Sequence, residues 1–411
     1  MRILFVGNTF PPGYTGGAEV SMYHTCQGLL RRGHDCSILI LTNRAPAATD
    51  DWYEYDGIPI HRLFFATYRN PVSDLWDARI HRAVRRELRR LKPDILHIHN
   101  VSAATLAPFT AGQAEGIPML NTLHDLWRLC PNNMLYRQDG SFCDPRTAPQ
   151  GCRNCFRRYD YWGAVPKRRA IIARLTENVR FLVSPSQALL DRHVEAGYAP
   201  ERFRMIPYGV AEPSPTAAPA SPELRRAIRA VAGHPTVFFG GGGIEIKGAQ
   251  VVLDAIPQVL EQMPEVRFVI TGGGEERFLQ GFRRLAPGVE LLGRIPPTDM
   301  RHLFAAADVT LAPSVWHENS PVVIYESFQA GTPVIGSNFG GIPELIRHGG
   351  TGYLIPTGDA QALAQAIVSH FQRTPLERRR MRQACVQHVR TALDLETHLD
   401  AIEALYQEML S

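Results

Sequence analysis

Short, nearly continuous apolar runs alternate with amphipathic stretches along almost the whole chain. Strands buried on both faces by crossover helices give this pattern. Runs at Arg2–Val6, Cys36–Leu41, Asp94–His97, Met119–Leu123, Arg180–Val183 and Phe203–Ile206 predict one parallel sheet. A second is predicted from Thr236–Phe239, Val266–Ile270, Val289–Leu292, Val309–Ala312, Val334–Gly336 and Tyr353–Ile355. Between the runs, apolar residues return at the helical period, as over Gly17–Arg31, Leu75–Leu91, Gly248–Met263, Met300–Ala306 and Pro321–Ala330. The expected class is α/β, with two Rossmann-like, doubly wound domains.

The join between the two series is visible in composition. From Ala211 to Pro222 the chain is almost entirely Pro, Ala and Ser, a poor helix and no central strand. The expected division is a first domain over 1–207, a linker over 208–222 and a second domain over 223–390. A closing segment, 391–411, is read as a helix with Leu395, Leu399, Ile402, Leu405 and Met409 on one stripe, free to cross back onto the first domain. The stripe alone does not name its partner.

Composition narrows the class. The 411 residues are 45% hydrophobic and 20% charged, and 44 basic against 40 acidic side chains leave a net charge of +4. That balance excludes a disordered chain and argues against nucleic acid as a partner. No apolar run approaches the ~20 residues of a spanning helix, and Ile3–Val6 is too short for a secretory core. With seven cysteines, too sparse for a disulfide framework, the expected compartment is a reducing cytoplasm.

Ligands of such sheets bind beyond the carboxyl ends of the strands, so the residues there carry the candidate chemistry. After the first strand, Gly7 to Gly17 lacks the G-x-G-x-x-G spacing of dinucleotide binding and contains Pro11-Pro12. The helix start at Gly16-Gly17 suits an anionic group, or is simply a turn that needs glycine. In the second half, Gly240-Gly-Gly-Gly243 and Lys247-Gly248 follow a strand and read as a diphosphate clamp or as a flexible loop with a surface lysine. Glu318 lies just before a helix begun by Ser320-Pro321 and Glu326 lies within it, eight residues on, so the two carboxylates are expected about two turns apart on similar faces. Glu326 lies among Val322, Val323, Ile324, Tyr325 and Phe328, where a carboxylate needs donors such as a vicinal diol or a backbone network. His124, at a strand end beside Asp125, is a candidate donor to a sugar hydroxyl or a developing charge, with Asp125 setting its tautomer. His97 and His99 share a strand face, but no third ligand with metal spacing accompanies them.

In chain order these motifs resemble the retaining GT-B glycosyltransferases of family 4, glycosyltransferase group 1, over nearly the whole sequence. The landmarks are Tyr14-Thr-Gly-Gly-Ala-Glu19, Arg32-Gly-His-Asp35, Pro93-Asp-Ile-Leu-His-Ile-His99, Thr122-Leu-His-Asp125, Lys247-Gly248, Glu318-x7-Glu326, Ala330-Gly-Thr-Pro-Val334 and Gly340-Gly-Ile-Pro-Glu344. The resemblance implies a GT-B fold with its two domains facing a central cleft. It implies a hexosyltransferase that moves a sugar from a nucleoside diphosphate sugar, UDP- before GDP-, to a glycan or lipid-linked acceptor in surface polysaccharide or lipopolysaccharide assembly. It gives Glu326 the ribose, Glu318 with Asn319 and Ser320 the donor sugar, Lys247 the diphosphate, and His124 the transferred sugar. Catalysis would need no cofactor or metal. A nucleotide-sugar epimerase or phosphorylase on the same fold, or an inactive sugar-nucleotide-binding scaffold, are the alternatives.

One position departs from the pattern. Family members place an arginine five residues before the lysine, and here that residue is Gly242. Either Arg294 supplies the missing cation or the extra glycines bring backbone closer to the phosphates.

Two features lie outside the family pattern. Cys130, Cys143, Cys152 and Cys155 fall within a 130–155 insert rich in Pro and Gly, and read as a structural zinc site, with disulfides or free thiols as the alternatives. Arg79, Arg82, Arg85, Arg86, Arg89, Arg90 and Lys92, then Arg157, Arg158, Lys167, Arg168, Arg169 and Arg174, are expected to form basic faces. Such faces either are solvated helix surfaces or place the protein peripherally on the anionic inner face of the cytoplasmic membrane.

Overall fold

The computed structural model describes residues 1–11, 16–42, 50–65, 75–101, 105–137, 140–146, 155, 164–211 and 221–411. The chain divides into two compact units, Met1–Gly209 together with Leu395–Ser411, and Val210–Asp394. The Pro, Ala and Ser segment over 212–220 lies outside the described residues.

The first unit contains β1 (Arg2–Gly7), β2 (Asp35–Thr42), β3 (Asp51–Tyr55), β4 (Ile58–Phe64), β5 (Ile95–Ile98), β6 (Met119–Thr122), β7 (Val179–Ser184) and β8 (Phe203–Met205). They form one sheet in the order β3-β4-β2-β1-β5-β6-β7-β8, parallel throughout except for β3 against β4. Its helices are α1 (Gly17–Arg31), α2 (Ala78–Leu91), α3 (Ala107–Ala114), α4 (Ala164–Leu175) and α5 (Gln187–Glu195). Val6, Leu39, Leu96 and Ile98 from the strands pack with Ile80, Val84 and Leu88 of α2 and Phe109 of α3. Each such side chain contributes about 1.5–3 kcal/mol by leaving water.

The β3-β4 hairpin is absent from the expected series. β3 alternates half-buried and exposed residues at a sheet edge and so lacks an apolar run. The legible signal was Asp56-Gly57, whose φ angles of +49° and +78° make the two-residue turn that favours Asp-Gly. α2 starts three residues later than the apolar period suggests, because Asp77 caps it, accepting the amides of Arg79 and Ile80 at 2.7 and 3.3 Å.

The second unit contains β9 (Thr236–Phe239), β10 (Arg267–Ile270), β11 (Val289–Leu291), β12 (Val309–Ala312), β13 (Val334–Ser337) and β14 (Gly352–Ile355), all parallel in the order β11-β10-β9-β12-β13-β14. Around this sheet run α6 (Pro222–Val231), α7 (Ala249–Gln262), α8 (Glu276–Arg284), α9 (Pro297–Ala306), α10 (Val322–Gln329), α11 (Ile342–Leu345), α12 (Ala360–Gln372) and α13 (Pro375–Ala392). Val237, Phe239, Phe268 and Ile270 meet Val252, Ile256 and Val259 of α7 and Leu363 and Ile367 of α12. In both units the strands are short and buried, which exposes their carboxyl-end loops as the places where ligands reach backbone.

The last helix, α14 (Leu395–Leu410), belongs to the first unit. Its Leu399, Ile402 and Tyr406 are fully buried. A Cβ on Gly28 would stand 2.4 Å from Leu399 Cδ1, so α1 needs glycine there for α14 to approach. The Arg32-Gly-His34 landmark fastens the same helix. Arg32 pairs with Glu396 at 2.6 Å, Asp400 at 2.8 Å and Glu403, and His34 Nε2 meets Glu403 at 2.5 Å.

Candidate functional site

In the first unit, His124 follows β6 and is held through both ring nitrogens. Its Nε2 lies 2.8 Å from His99 Nδ1, and its Nδ1 lies 2.7 Å from the Tyr208 hydroxyl. The His99 and His124 rings stack at 5.0 Å, and His97 stands 4.4 Å from His99. His97 bonds the Tyr406 hydroxyl of α14 at 2.6 Å and Thr122 Oγ1 at 2.7 Å. His398, also on α14, bridges Thr25 Oγ1 at 3.0 Å and the Pro207 carbonyl at 2.8 Å, next to Tyr208. Thus α14 steadies the segment that delivers Tyr208 to His124.

Burial drives the pKa of His124 down to about 3 and those of His97 and His99 well below the ordinary value. These imidazoles are neutral at physiological pH. His124 therefore offers a fixed dipole rather than a cation, and a ligand hydroxyl bonds it only by replacing one of its two partners. Asp125 does not set its tautomer. The Asp125 carboxylate accepts the Trp127 amide at 2.8 Å, and burial lifts its pKa to about 6. Tyr208 escaped sequence reasoning, since it lies in an aperiodic connection after β8; the period-two pair His97 and His99 was the visible trace of this cluster.

The Gly16-Gly17 helix start is already occupied by an anion of the chain itself. Gly16 donates its amide to Glu19 Oε2 at 2.8 Å, and Glu19 is buried. That removes one of the amides expected to meet a ligand.

In the second unit the loops after β9, β10 and β11 are laced together through backbone. The Gly243 amide donates to the Gly273 carbonyl at 3.1 Å, Glu275 to Gly243 at 2.8 Å, and Gly272 to Gly293 at 2.6 Å. Gly242 sits at φ +52°, and a Cβ on it would stand 2.5 Å from the Gly273 oxygen. The crossing of these loops leaves no room for an arginine at 242. Arg294, beside Gly293, has its Nε 3.5 Å from where a Cβ of Gly273 would be, which brings a guanidinium to this same loop bundle.

Lys247 and Glu318 come together at the ends of β9 and β12. Lys247 Nζ lies 2.6 Å from Glu318 Oε1, which also accepts the Ser314 hydroxyl at 2.7 Å, and the ammonium stands 5.4 Å over the Trp316 ring. Burial raises the Glu318 carboxyl, but Lys247 and the Ser314 hydroxyl outweigh it, and the group stays below its ordinary value. Two glycines make this possible. Gly248 at φ +88° would place a Cβ 2.2 Å from the Pro313 carbonyl, and Gly340 at φ +60° would place one 2.6 Å from that of Glu318, whose oxygen accepts the Gly341 amide at 2.7 Å. Asn319 and Ser320 follow at the start of α10, where the Ser320 hydroxyl meets the Tyr325 hydroxyl at 2.5 Å. On α10, Glu326 makes no side-chain hydrogen bond among the described residues, and burial lifts its pKa to about 7.

Of the expected basic faces, the one on α2 is largely ion-paired. On α2, Arg79 pairs with Asp77, Arg85 and Arg89 with Glu115, and Arg86 and Arg90 with Glu87, leaving Arg82 and Lys92 without an ion pair among the described residues. On α4, Arg168 is buried, donating to the Trp127 carbonyl at 2.6 Å, and Arg169 donates to those of Leu129 and Pro145. Arg157 and Arg158 lie outside the described residues. Cys130 and Cys143 are buried and Cys155 is half-buried, whereas Cys152 lies outside the described residues. No helix among the described residues is long and apolar enough to cross a membrane.

Residues 15–212 match the family described as Glycosyltransferase Family 4, and residues 234–373 the one described as Glycosyl transferases group 1. The chain is 26% identical over 366 residues to a phosphatidyl-myo-inositol mannosyltransferase of Mycobacterium leprae, covering 89% of this chain and 86% of that one. A GDP-mannose-dependent monoacylated alpha-(1-6)-phosphatidylinositol monomannoside mannosyltransferase of Corynebacterium glutamicum is 29% identical over 242 residues, 56% of this chain and 62% of that one. Among solved structures, the Anabaena HepE protein in complex with UDP and glucose aligns over 99% of this chain and 100% of its own, with a TM-score of 0.72 and 19% identity. Sucrose-phosphate synthase from Thermosynechococcus elongatus aligns over 99% and 98%, with a TM-score of 0.74 and 18% identity. At these identities the structures establish a shared fold.

Proposed function

The chain belongs to the family 4, group 1 glycosyltransferases, and from that premise we propose a retaining, metal-independent transfer of a hexose from a nucleoside diphosphate sugar to a glycan or lipid-linked acceptor. The observation that carries the reading is the Lys247–Glu318 pair, fixed at 2.6 Å beside a laced glycine loop. A cation held there meets the charge that grows on a departing diphosphate, and Arg294 stands in for the arginine that Gly242 displaces. Glu326 accepts the ribose hydroxyls, and Glu318 with Asn319 and Ser320 orients the sugar.

In the reaction, the bond from the sugar's C1 to the diphosphate oxygen breaks while one to the acceptor oxygen forms on the same face. The acceptor's proton passes to the departing phosphate oxygen, so no carboxylate nucleophile is required. His124, neutral and clamped in the first unit, is the residue assigned to the transferred sugar in this reading. The inactive-scaffold alternative rested on Gly242 and the Cys insert; the packing of the loops gives Gly242 a structural reason, and turnover with any donor would dispose of that alternative.

The acceptor reading draws support from relatives named for phosphatidylinositol substrates. With α2 mostly ion-paired, contact with an anionic membrane rests on few free charges, Arg82 and Lys92 among them. For the donor, the expectation of a uridine nucleotide stands beside a relative named for GDP-mannose, so both are tested. Purified protein is challenged with UDP-, GDP-, ADP- and TDP-sugars, reading thermal shift and slow donor hydrolysis with and without EDTA. One strong responder with EDTA-insensitive turnover is expected; silence across the panel with folded protein refutes the reading.

We also propose that the four cysteines hold a structural zinc. The support is the chemistry of the set, since four thiolates suit a closed tetrahedral site. Metal analysis should find about one zinc per chain; metal-free protein with an unchanged melting profile would sink the proposal.

A further inference from the structure

The donor reading leaves unused a stripe of cations on α13. Arg379, Arg382, Gln383, Gln387 and Arg390 follow one another at helical spacing on one face and, with Gly331, line an open cleft of about 450 Å3. That volume lies within the ~300–1,000 Å3 of small-molecule sites. No carboxylate lines the cleft. Arg382 donates to the Ala307 carbonyl at 3.2 Å, which directs its guanidinium but leaves its charge uncompensated. Arg379 and Arg390 make no ion pair among the described residues. Glu377, the acid of this helix, is consumed at its start by Thr374, whose hydroxyl donates to it at 2.7 Å.

A solvated basic helix face ordinarily mixes in acids that relieve repulsion between its cations. Here three guanidiniums instead share one concavity with two carboxamides. Its floor is Gly331 at φ +72°, where a Cβ would stand 3.4 Å from Val386 Cγ2 and narrow the cleft. Guanidinium forks match phosphate oxygens two at a time, and the carboxamides add donors for ester oxygens or hydroxyls.

We propose that this cleft is a second anion site, one that binds a phosphorylated ligand carrying at least two negative charges. It lies at the Ala330-Gly331 end of α10, while Ser320-Pro321 of the donor site lies at the other, one helix length or ~12 Å away. The phosphate could belong to a soluble ester or to a phospholipid headgroup, and the test separates the two.

Full-length protein is titrated calorimetrically with inorganic pyrophosphate, as wild type, as Arg379→Gln/Arg390→Gln and as Lys247→Ala. Arg379 and Arg390 are exposed and unpaired, so the double variant should melt as the wild type does. It is expected to lose a pyrophosphate-binding class by about tenfold or more, while Lys247→Ala loses a different class and keeps this one. If the donor reading alone fails, Lys247→Ala changes nothing and the double variant still loses its class. Co-sedimentation with phosphatidylcholine vesicles holding about one third phosphatidylglycerol names the source: a matching loss in the double variant indicates a headgroup, and unchanged sedimentation with lost pyrophosphate binding indicates a soluble ester. Unchanged behaviour of the double variant in both assays overturns the proposal.

Discussion

Glu326 shows how one side chain ties nucleotide binding to pH. Its carboxyl makes no side-chain hydrogen bond among the described residues, and burial lifts its pKa to about 7. Only the ionised form offers both oxygens to a pair of ribose hydroxyls. Nucleotide affinity should therefore rise as pH increases through about 7, and Glu326→Gln should weaken it by ~1.5–3 kcal/mol and flatten the profile. Dissociation constants measured across that range decide it, and a wild-type profile already flat counts against the ribose role. Glu318 shows the opposite case at the same site, because Lys247 and the Ser314 hydroxyl keep it ionised at any working pH. The sequence placed Glu318 just before the helix that carries Glu326, and Glu318 lies in the loop ahead of α10, but it could not show that one is satisfied and the other waiting. That difference comes from residues 71 positions away for Lys247 and four for Ser314.

At the scale of elements, three strand-to-helix loops meet backbone to backbone, and this meeting explains a residue that looks like a defect in sequence. Any side chain at Gly242 collides with the Gly273 carbonyl, a rigid atom that cannot move aside without parting the loops. Gly242→Arg should accordingly lower the melting temperature and fail to raise donor affinity. Arg294→Ala should leave folding intact and weaken donor binding by ~1.5–3 kcal/mol, the value of a charge-assisted bond. Equal donor affinity in wild type and Arg294→Ala would assign the diphosphate to backbone and Lys247 alone. The β3-β4 hairpin teaches a similar lesson. Its apolar content is diluted by its edge position, and the short-range Asp56-Gly57 turn identifies it better than hydropathy does.

Across the whole molecule, the distribution of buried histidines predicts how each unit responds to acid. In the first unit His124 and His193 are pushed down to about 3, His398 to about 4, and His97 and His99 well below the ordinary value, all chiefly by burial. Unfolded, each regains a pKa near ~6.5, so below that pH the unfolded chain takes up protons that the folded one refuses. Stability falls as pH drops from ~6.5 toward 4, by up to ~1.4 kcal/mol per pH unit for each histidine. Glu19 and Asp125, raised by burial, work in the other direction in the same unit but are fewer. The second unit sets His370, near 4, against Glu326, near 7. Scanning calorimetry at pH 7 and pH 5 should show the transition of the first unit moving down and that of the second moving less; two transitions indifferent to acid would contradict it.

The sequence by itself determined the order of buried runs, hence two parallel sheets, the positions of Lys247, Glu318 and His124 after strands, and that of Glu326 within a helix, because periodicity and glycine placement are local properties. Only the tertiary structure decided the rest. It gave α14 to the first unit, turned Arg168 inward, closed position 242 to side chains and set Tyr208 on His124 across 84 residues of chain. Those outcomes depend on which distant surfaces meet, and packing and hydrogen-bond pairing between remote segments leave no period in the chain that forms them.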